Sequence, residues 1–160
     1  ARMTAPALAD WPDGRSDRFR RAEVSTVIGS GDAVWRRATS DVLRWKVKTR
    51  SGFAVDNTRP VASGARPIIT ARVLWVTVRE PVEVVEVVES ATRVGFSYRT
   101  LPGHPVSGEE AFIVHRNGDD VVLTIRSLTR PAPEQPWRAL FPLLRVAQLV
   151  ARRRYLRALR

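Results

Sequence analysis

Two acidic residues follow a histidine closely in the segment 98–112, which reads YRTLPGHPVSGEEAF. His104 lies in a loop rich in proline and glycine, and Glu109 and Glu110 come next along the chain. An imidazole with a pKa near neutrality beside a carboxylate can transfer a proton or bind a metal ion. Metal sites usually need three converging ligands, and His115 lies further along its strand. A rigid loop, whose polar side chains bind backbone amides or arginines, is the simpler interpretation, so we assign no catalytic and no metal-binding residue.

Several other side chains are expected to border an internal cavity. Tyr98, Arg130, Gln148 and Tyr155 are polar groups that either contact a ligand or form buried hydrogen bonds between sheet and helix, and both interpretations stay open. Trp75 shares one strand face with Val73 and Thr77, but the sequence does not say which face turns inward. The predicted ligand-binding set is Trp75, Tyr98, His104, Glu109, Glu110, Arg130, Gln148 and Tyr155.

Composition limits the classes of site that the chain can carry. It has 160 residues, no cysteine and a formal net charge of +11, with arginine supplying nearly all of the positive charge. A disulfide framework and a thiolate-based metal or catalytic site are therefore excluded. The first residues show no secretory signal, and no apolar run approaches the roughly 18 residues that span a bilayer. We expect a soluble protein in the reducing cytoplasm, with a core suited to one domain.

The sequence of residues 1–45 predicts an arm, then a strand, then a helix. Residues 1–18 have no periodicity and are expected to form a loosely ordered arm. Arg21 to Ile28 indicates a strand, and Asp32 is placed to cap a helix of about fourteen residues that ends near Trp45. The intervening Gly29-Ser30-Gly31 indicates a tight turn. A dinucleotide-binding loop is the alternative, but it would need a third glycine where Val34 stands.

The middle of the chain changes to the two-residue period of β-structure. The predicted strands are Val47 to Val55, Pro67 to Arg79, Val82 to Glu89, Arg93 to Thr100, Glu109 to Arg116 and Val121 to Leu128. Glu80-Pro81 is expected to separate two of them, and Asn117-Gly118 is a strong hairpin signal. Pro142 suits the first turn of a long C-terminal helix. The resulting order is β-α-β6-α, a seven-stranded antiparallel sheet with one helix long enough to cover it.

Arginines crowd the end of that last helix. They are Arg152, Arg153, Arg154, Arg157 and Arg160. Positive charge there complements the helix dipole and attracts nucleic acid or anionic lipid without specifying either one. Nucleic-acid binders usually interleave such charge with aromatic platforms, and here Tyr155 stands alone among the arginines. A solvated helix end is therefore the preferred interpretation, and no specific nucleic-acid partner is expected.

The segments TLPGHP and GEE around His104, SLTRPA from Ser127, and Gly29-Ser30-Gly31 resemble the bacterial and plant family called domain of unknown function nineteen-ninety. The order of elements is similar to the helix-grip fold of START-type and birch-pollen-allergen proteins. This resemblance implies a curved sheet wrapped around the C-terminal helix, with a cavity between them, in a single domain over residues 19–160.

The function that these expectations favour is a binding module for a small, mostly apolar molecule, with no cofactor. Cavities for such ligands typically measure about 300–1,000 Å³. A cyclase- or hydratase-like enzyme that uses His104 with Glu109 or Glu110 is the first alternative. A weak adaptor for nucleic acid or anionic membranes, acting through the C-terminal arginines, is the second. The ligand and the oligomeric state do not follow from the sequence.

Overall fold

The computed structural model describes residues 3–12, 19–57, 59–73, 76–132 and 136–160. Within these ranges the chain forms seven strands and three helices. In chain order they are β1 (Arg20–Ser30), α1 (Asp32–Val42), α2 (Lys46–Thr49), β2 (Phe53–Val55), β3 (Ile68–Val73), β4 (Val76–Glu89), β5 (Arg93–Thr100), β6 (Val106–Asn117), β7 (Asp120–Pro131) and α3 (Phe141–Arg157).

The strands form one antiparallel sheet in the order β1-β7-β6-β5-β4-β3-β2. Successive strands from β2 to β7 are neighbours, and β1 closes the series beside β7. The sheet curves around the helices on one of its faces, which confirms the predicted helix-grip architecture. Pro142 lies in the first turn of α3, as expected for a residue without a backbone N–H.

Strand β4 differs from the prediction in where it begins and what interrupts it. The expected strand from Pro67 to Arg79 is divided between β3 and β4, and β4 runs through Pro81 without a break. Pro81 is tolerated because β4 changes partner at this point. Its residues up to Pro81 pair with β3, and those from Val82 onward pair with β5. The predicted break at Glu80-Pro81 is therefore wrong.

A bulge in β4 explains how an irregular sequence keeps its apolar side chains on one face. The run from Val82 to Glu89 reads VEVVEVVE, in which valine doublets disturb the two-residue period. The pairing with β5 shifts between Val84 and Glu86. One extra residue there restores the alternation, so that Val84 opposite Tyr98 and Val87 opposite Phe96 both face the helices.

The region after β1 also departs from the prediction. α1 ends at Val42, and Trp45 then adopts a left-handed conformation (φ 62°) that turns the chain into the short helix α2. The expected strand from Val47 to Val55 is thus a helical turn followed by the three residues of β2. The N-cap of α1 is Gly31, with no side-chain cap, and the Asp32 carboxylate instead accepts a hydrogen bond from Arg116 at 2.8 Å.

Both long helices pack on the same face of the sheet. Trp45, just after α1, meets Phe96 edge-on with ring centroids 4.7 Å apart, and Ala38 and Val42 are fully buried beside them. The last turns of α3 complete this core through Tyr155. The preceding turns of α3, from Leu144 to Arg152, border a cavity.

The opposite face of the sheet is covered by the beginning of the chain. Residues 3–12 are the described part of the expected arm, and Thr4 and Trp11 are buried there. Arg126 lies under this segment with 1% of its surface exposed. Its guanidinium donates to the carbonyl oxygens of Thr4, Ala5, Leu8 and Ala9 at 2.7–3.1 Å and to the Glu23 carboxylate at 2.6 Å.

Candidate functional site: a buried polar cluster beside a cavity

A cavity of about 160 Å³ lies between the sheet, α2 and α3. Phe53 and Val78 from the sheet and Leu144 and Ala151 from α3 contribute apolar surface. Some of its polar groups lie on different strands, and antiparallel pairing brings their side chains together. Tyr98 on β5 is opposite Glu110 on β6, and Glu110 is opposite Ser127 on β7. Three polar side chains therefore stand side by side on the helix-facing surface of the sheet.

Lys48 on α2 occupies the centre of this polar cluster, with 7% of its side chain exposed. Its ammonium donates to the Tyr155 hydroxyl at 2.6 Å and lies 3.7 Å from Oε1 of Glu110. It also lies 4.2 Å above the ring of Phe53. Burial alone lowers the pKa of Lys48, but the neighbouring Tyr155, Glu110 and Glu80 outweigh burial and hold it above its ordinary value. Lys48 is therefore a fixed positive charge.

The two tyrosines of the cluster are held in the phenol form. Burial and the adjacent Glu110 carboxylate raise the pKa of Tyr98, whose hydroxyl donates to Oε1 of Glu110. Burial also raises the pKa of Tyr155 despite the opposing effect of Lys48. Because Tyr155 accepts from the Lys48 ammonium, its own O–H stays available as a donor.

His104 and Glu80 form the second part of the cluster. The Nδ1 atom of His104 accepts from the backbone N–H of Val106 at 3.0 Å, which places the ring proton on Nε2. Burial, with the Lys48 charge nearby, lowers the pKa of His104 to about 3, so that the imidazole is neutral at physiological pH. Its Nε2 lies 3.9 Å from Oε2 of Glu80, which is too far for a hydrogen bond.

Glu80 is the least satisfied member of the polar cluster. Only 14% of its side chain is exposed, and no donor from the described residues lies within hydrogen-bonding distance of its carboxylate. Burial raises the pKa of Glu80, Lys48 lowers it, and Glu110 raises it further, so that the net change is upward. A buried carboxylate with spare acceptor capacity beside an open space can bind a donor on an incoming molecule.

The structure places the predicted site residues in different regions. Tyr98, His104, Glu110, Gln148 and Tyr155 line the cavity. Glu109 borders it too, but its carboxylate lies on the opposite face of the sheet and accepts from the backbone N–H and the hydroxyl of Thr4. Burial raises the pKa of Glu109, while these two bonds lower it.

Two predicted residues do not join the cavity. Arg130 donates to the Ser107 hydroxyl at 3.3 Å and lies 4.8 Å from the ring of Phe19, on the face away from the helices. Trp75 lies outside the described residues.

Sequence reasoning missed Lys48, Glu80 and Arg152, all of which line the cavity. Lys48 fell in a segment taken for a strand, and Glu80 was taken as part of a strand break. The signal for Lys48 was its rarity, because it is one of two lysines in an arginine-rich chain.

Two further properties concern the described residues alone. They contain no group of three histidine, aspartate or glutamate side chains arranged to hold a metal ion. No helix within them combines the length and hydropathy that a membrane span requires.

The fold and the cavity define the class of this protein as a helix-grip domain with a polar cluster at one end of an internal space. The family described as domain of unknown function (DUF1990) matches residues 2–158. The chain belongs to this family.

Three similar proteins come from three different organisms. A UPF0548 protein from Deinococcus radiodurans is 30% identical, over 99% of this chain and 88% of that protein. The UPF0548 protein At2g17695 from Arabidopsis thaliana is 28% identical, over 72% of this chain and 60% of that protein. The crystal structure of hypothetical protein jhp0584 from Helicobacter pylori shares 16% identity, covers 95% of this chain and 94% of that chain, and has the same fold with a TM-score of 0.62.

Proposed function

We propose that the protein is a binding module for a small, mostly apolar molecule with one polar end, held between the sheet and α3. The observation that carries this proposal is the cavity itself, apolar on one side and bordered on the other by polar groups with unused hydrogen-bonding capacity. Apolar walls supply affinity through burial, and a few fixed polar groups supply orientation.

The size of the cavity limits the ligand. Its 160 Å³ is smaller than the range expected from the sequence and is close to the roughly 150 Å³ of cavities that admit benzene. A compact molecule of about one ring fits without rearrangement. A longer ligand would require α3 to move away from the sheet.

The polar end of the ligand is expected to contact Glu80, His104 and Tyr155. Glu80 offers a hydrogen-bond acceptor, whereas the Nε2–H of His104 and the hydroxyl of Tyr155 offer donors. Lys48 and Glu110 are already engaged with each other and with the tyrosines, so they support the site more than they contact the ligand. An alcohol, a phenol or an amine suits this combination of donors and acceptors.

An enzyme of the cyclase or hydratase type is the second candidate, and Glu80 favours it. A carboxyl group with a raised pKa beside a cavity can act as a general acid. The pairs expected from the sequence have less support. Glu109 is bound to Thr4, and the Nδ1 atom of His104 is occupied by the Val106 N–H.

A cytoplasmic location belongs to this proposal as well, because a chain without cysteine is compatible with a reducing compartment. Specific recognition of nucleic acid is not expected, since the C-terminal arginines lack interleaved aromatic platforms.

Native mass spectrometry of freshly purified protein tests the binding proposal. We expect a fraction of the protein to carry a small molecule that is released on denaturation. If no adduct appears and no ring-sized compound binds afterwards, the cavity has no ligand and the proposal fails.

The variant His104→Ala separates binding from catalysis. If the site only binds, the variant keeps its affinity for the ligand within about tenfold, or roughly 1.4 kcal/mol. If wild-type protein converts the ligand and the variant binds it without converting it, the enzyme candidate replaces the binding module.

A further inference from the structure

The outer face of α3 carries large apolar side chains in water. Leu143, Val146, Leu149 and Val150 are 69%, 59%, 52% and 48% exposed. The inner face of the same helix lines the cavity through Leu144. A helix with apolar side chains on both faces is normally covered on both. Scattered exposed apolar residues need no explanation, but these four lie together on one side of one helix.

Arginines continue the same stripe toward the end of the helix. Leu143, Val146, Val150, Arg153 and Arg157 follow one another at alternating steps of three and four residues, which places them on one side of an α-helix. Both arginines are exposed, and neither forms an ion pair within the described part of the chain. The sequence from residue 136 to residue 160 contains no acidic residue. The stripe is therefore apolar in its first half and cationic in its second half.

We propose that this stripe docks on the surface of an anionic lipid bilayer. The apolar half would enter the boundary between headgroups and acyl chains, and the arginines would contact lipid phosphates. From Leu143 to Arg157 the stripe extends about 21 Å along the helix axis. A modest tilt therefore lowers the apolar half by the roughly 5–10 Å typical of interfacial helices while the arginines stay among the headgroups.

Other partners satisfy only one half of the stripe. A nucleic acid would pair with the arginines and leave Leu143 and Val146 in water. A second copy of this chain would cover the apolar half, but it would bring a second uncompensated set of arginines to the interface. An anionic bilayer offers both a negatively charged surface and an apolar interior. This docking does not depend on whether the cavity holds a ligand.

Vesicle co-sedimentation tests the proposal. One set of vesicles contains equal parts phosphatidylglycerol and phosphatidylcholine, and the other contains phosphatidylcholine alone. We expect wild-type protein to bind the anionic vesicles, to bind the neutral ones at least tenfold more weakly, and to be released by salt. Failure to bind the anionic vesicles, or equal binding to both sets, would overturn the proposal.

The apolar half is tested by Leu143→Ser combined with Val146→Ser. Both side chains are exposed, so the fold should persist, and thermal unfolding would verify this. We expect at least a tenfold loss of affinity for anionic vesicles. The matched control is Val27→Ser with Val76→Ser, which removes two similarly exposed valines elsewhere and should bind as wild type does. Equal losses in both variants would contradict the assignment to α3.

The cationic half is tested by Arg153→Ala and Arg157→Ala together with Arg154→Ala, because Arg154 is exposed beside them on the same helix. The expected loss is on the order of a hundredfold at low salt, from about 1 kcal/mol per arginine. The control removes the same charge through three exposed arginines outside α3, at positions 36, 44 and 59, and should lose much less. Sedimentation equilibrium supplies the remaining outcome. A dimer that the Leu143 and Val146 variant dissolves would assign this face to a second copy and overturn the bilayer proposal.

Discussion

The two faces of the sheet bury charged side chains in opposite ways. On the face away from the helices, Arg126 is enclosed by carbonyl oxygens of residues 3–12 and by the Glu23 carboxylate. On the helix-facing side, Glu80 is also largely buried, yet no described residue donates a hydrogen bond to it. Both faces hold buried charge, and the charge on the second face adjoins the cavity.

This difference separates structural polar groups from groups that can receive a ligand. A buried group whose hydrogen bonds are all made within the chain stabilises one arrangement of the backbone, as Arg126 does for residues 3–12. A buried group with unused capacity costs stability in the empty protein, and a ligand can recover that cost. By this criterion Glu109 belongs with Arg126, whereas Glu80 and His104 belong to the proposed binding site.

The largest effect is expected from Arg126→Met. Breaking a buried charge network should lower the free energy of unfolding by about 3 kcal/mol and release residues 3–12 from the sheet. Urea denaturation measures the first effect, and limited proteolysis of the N-terminal segment measures the second. Arg130→Met is the control on the same strand and face, because the contacts of Arg130 within the described residues are one hydrogen bond to Ser107 and the ring of Phe19. If both variants lower the free energy of unfolding by the same amount, Arg126 is not the residue that holds residues 3–12 against the sheet.

A smaller change of opposite sign is expected from Glu80→Gln. Because burial raises the pKa of Glu80, ionising this carboxyl destabilises the folded protein as pH rises through its folded pKa. The variant should therefore be more stable than wild type at pH 7 by about 1 kcal/mol, and the difference should vanish toward acid pH, where both side chains are neutral. Denaturation curves across this pH range measure the difference.

Glu83→Gln is the matched control on the same strand. Arg66 and Arg99 bind the Glu83 carboxylate and lower its pKa, so that the ionised form favours folding. This variant should be less stable than wild type at neutral pH, and the difference should again disappear in acid. If both glutamate variants change the free energy of unfolding in the same direction at neutral pH, burial does not destabilise the ionised form of Glu80.

A further effect of burial in the polar cluster is expected in the titration of His104. Because its pKa falls from 6.5 to about 3, the ring should keep one chemical shift between pH 8 and pH 5 in an NMR titration. The unfolded chain does bind a proton in this range, so His104 reduces stability as pH falls below 6.5. The variant His104→Asn should therefore lose less stability than wild type as the pH falls below 6.5. A ring that titrates near pH 6.5 would place His104 in water rather than in the polar cluster.

The sheet and part of the site follow from the sequence, and particular residues show where the prediction ends. Tyr98 and Glu110 could be predicted as cavity residues because strand periodicity fixes which side chains share a face. Lys48 could not, because a left-handed Trp45 turns the chain into a helix where the pattern indicated a strand. Glu80 was missed because a proline usually ends a strand, and here it falls where β4 changes partner. The contacts of Arg126 depend on a segment without periodicity, from which no pattern predicts a partner.

Filling the cavity tests the central claim most directly. Ala151 lines the cavity from α3, so that Ala151→Phe should occupy the space that a ligand needs, whereas Ala33→Phe places the same side chain on the exposed surface of α1. Ligand-observed NMR with ring-sized alcohols, phenols and amines then measures binding to wild type and both variants. We predict that wild type and the Ala33 variant bind the same compounds, and that the Ala151 variant loses at least a hundredfold in affinity while it stays folded. Equal binding by all three proteins, or none by wild type, would contradict a ligand site between the sheet and α3.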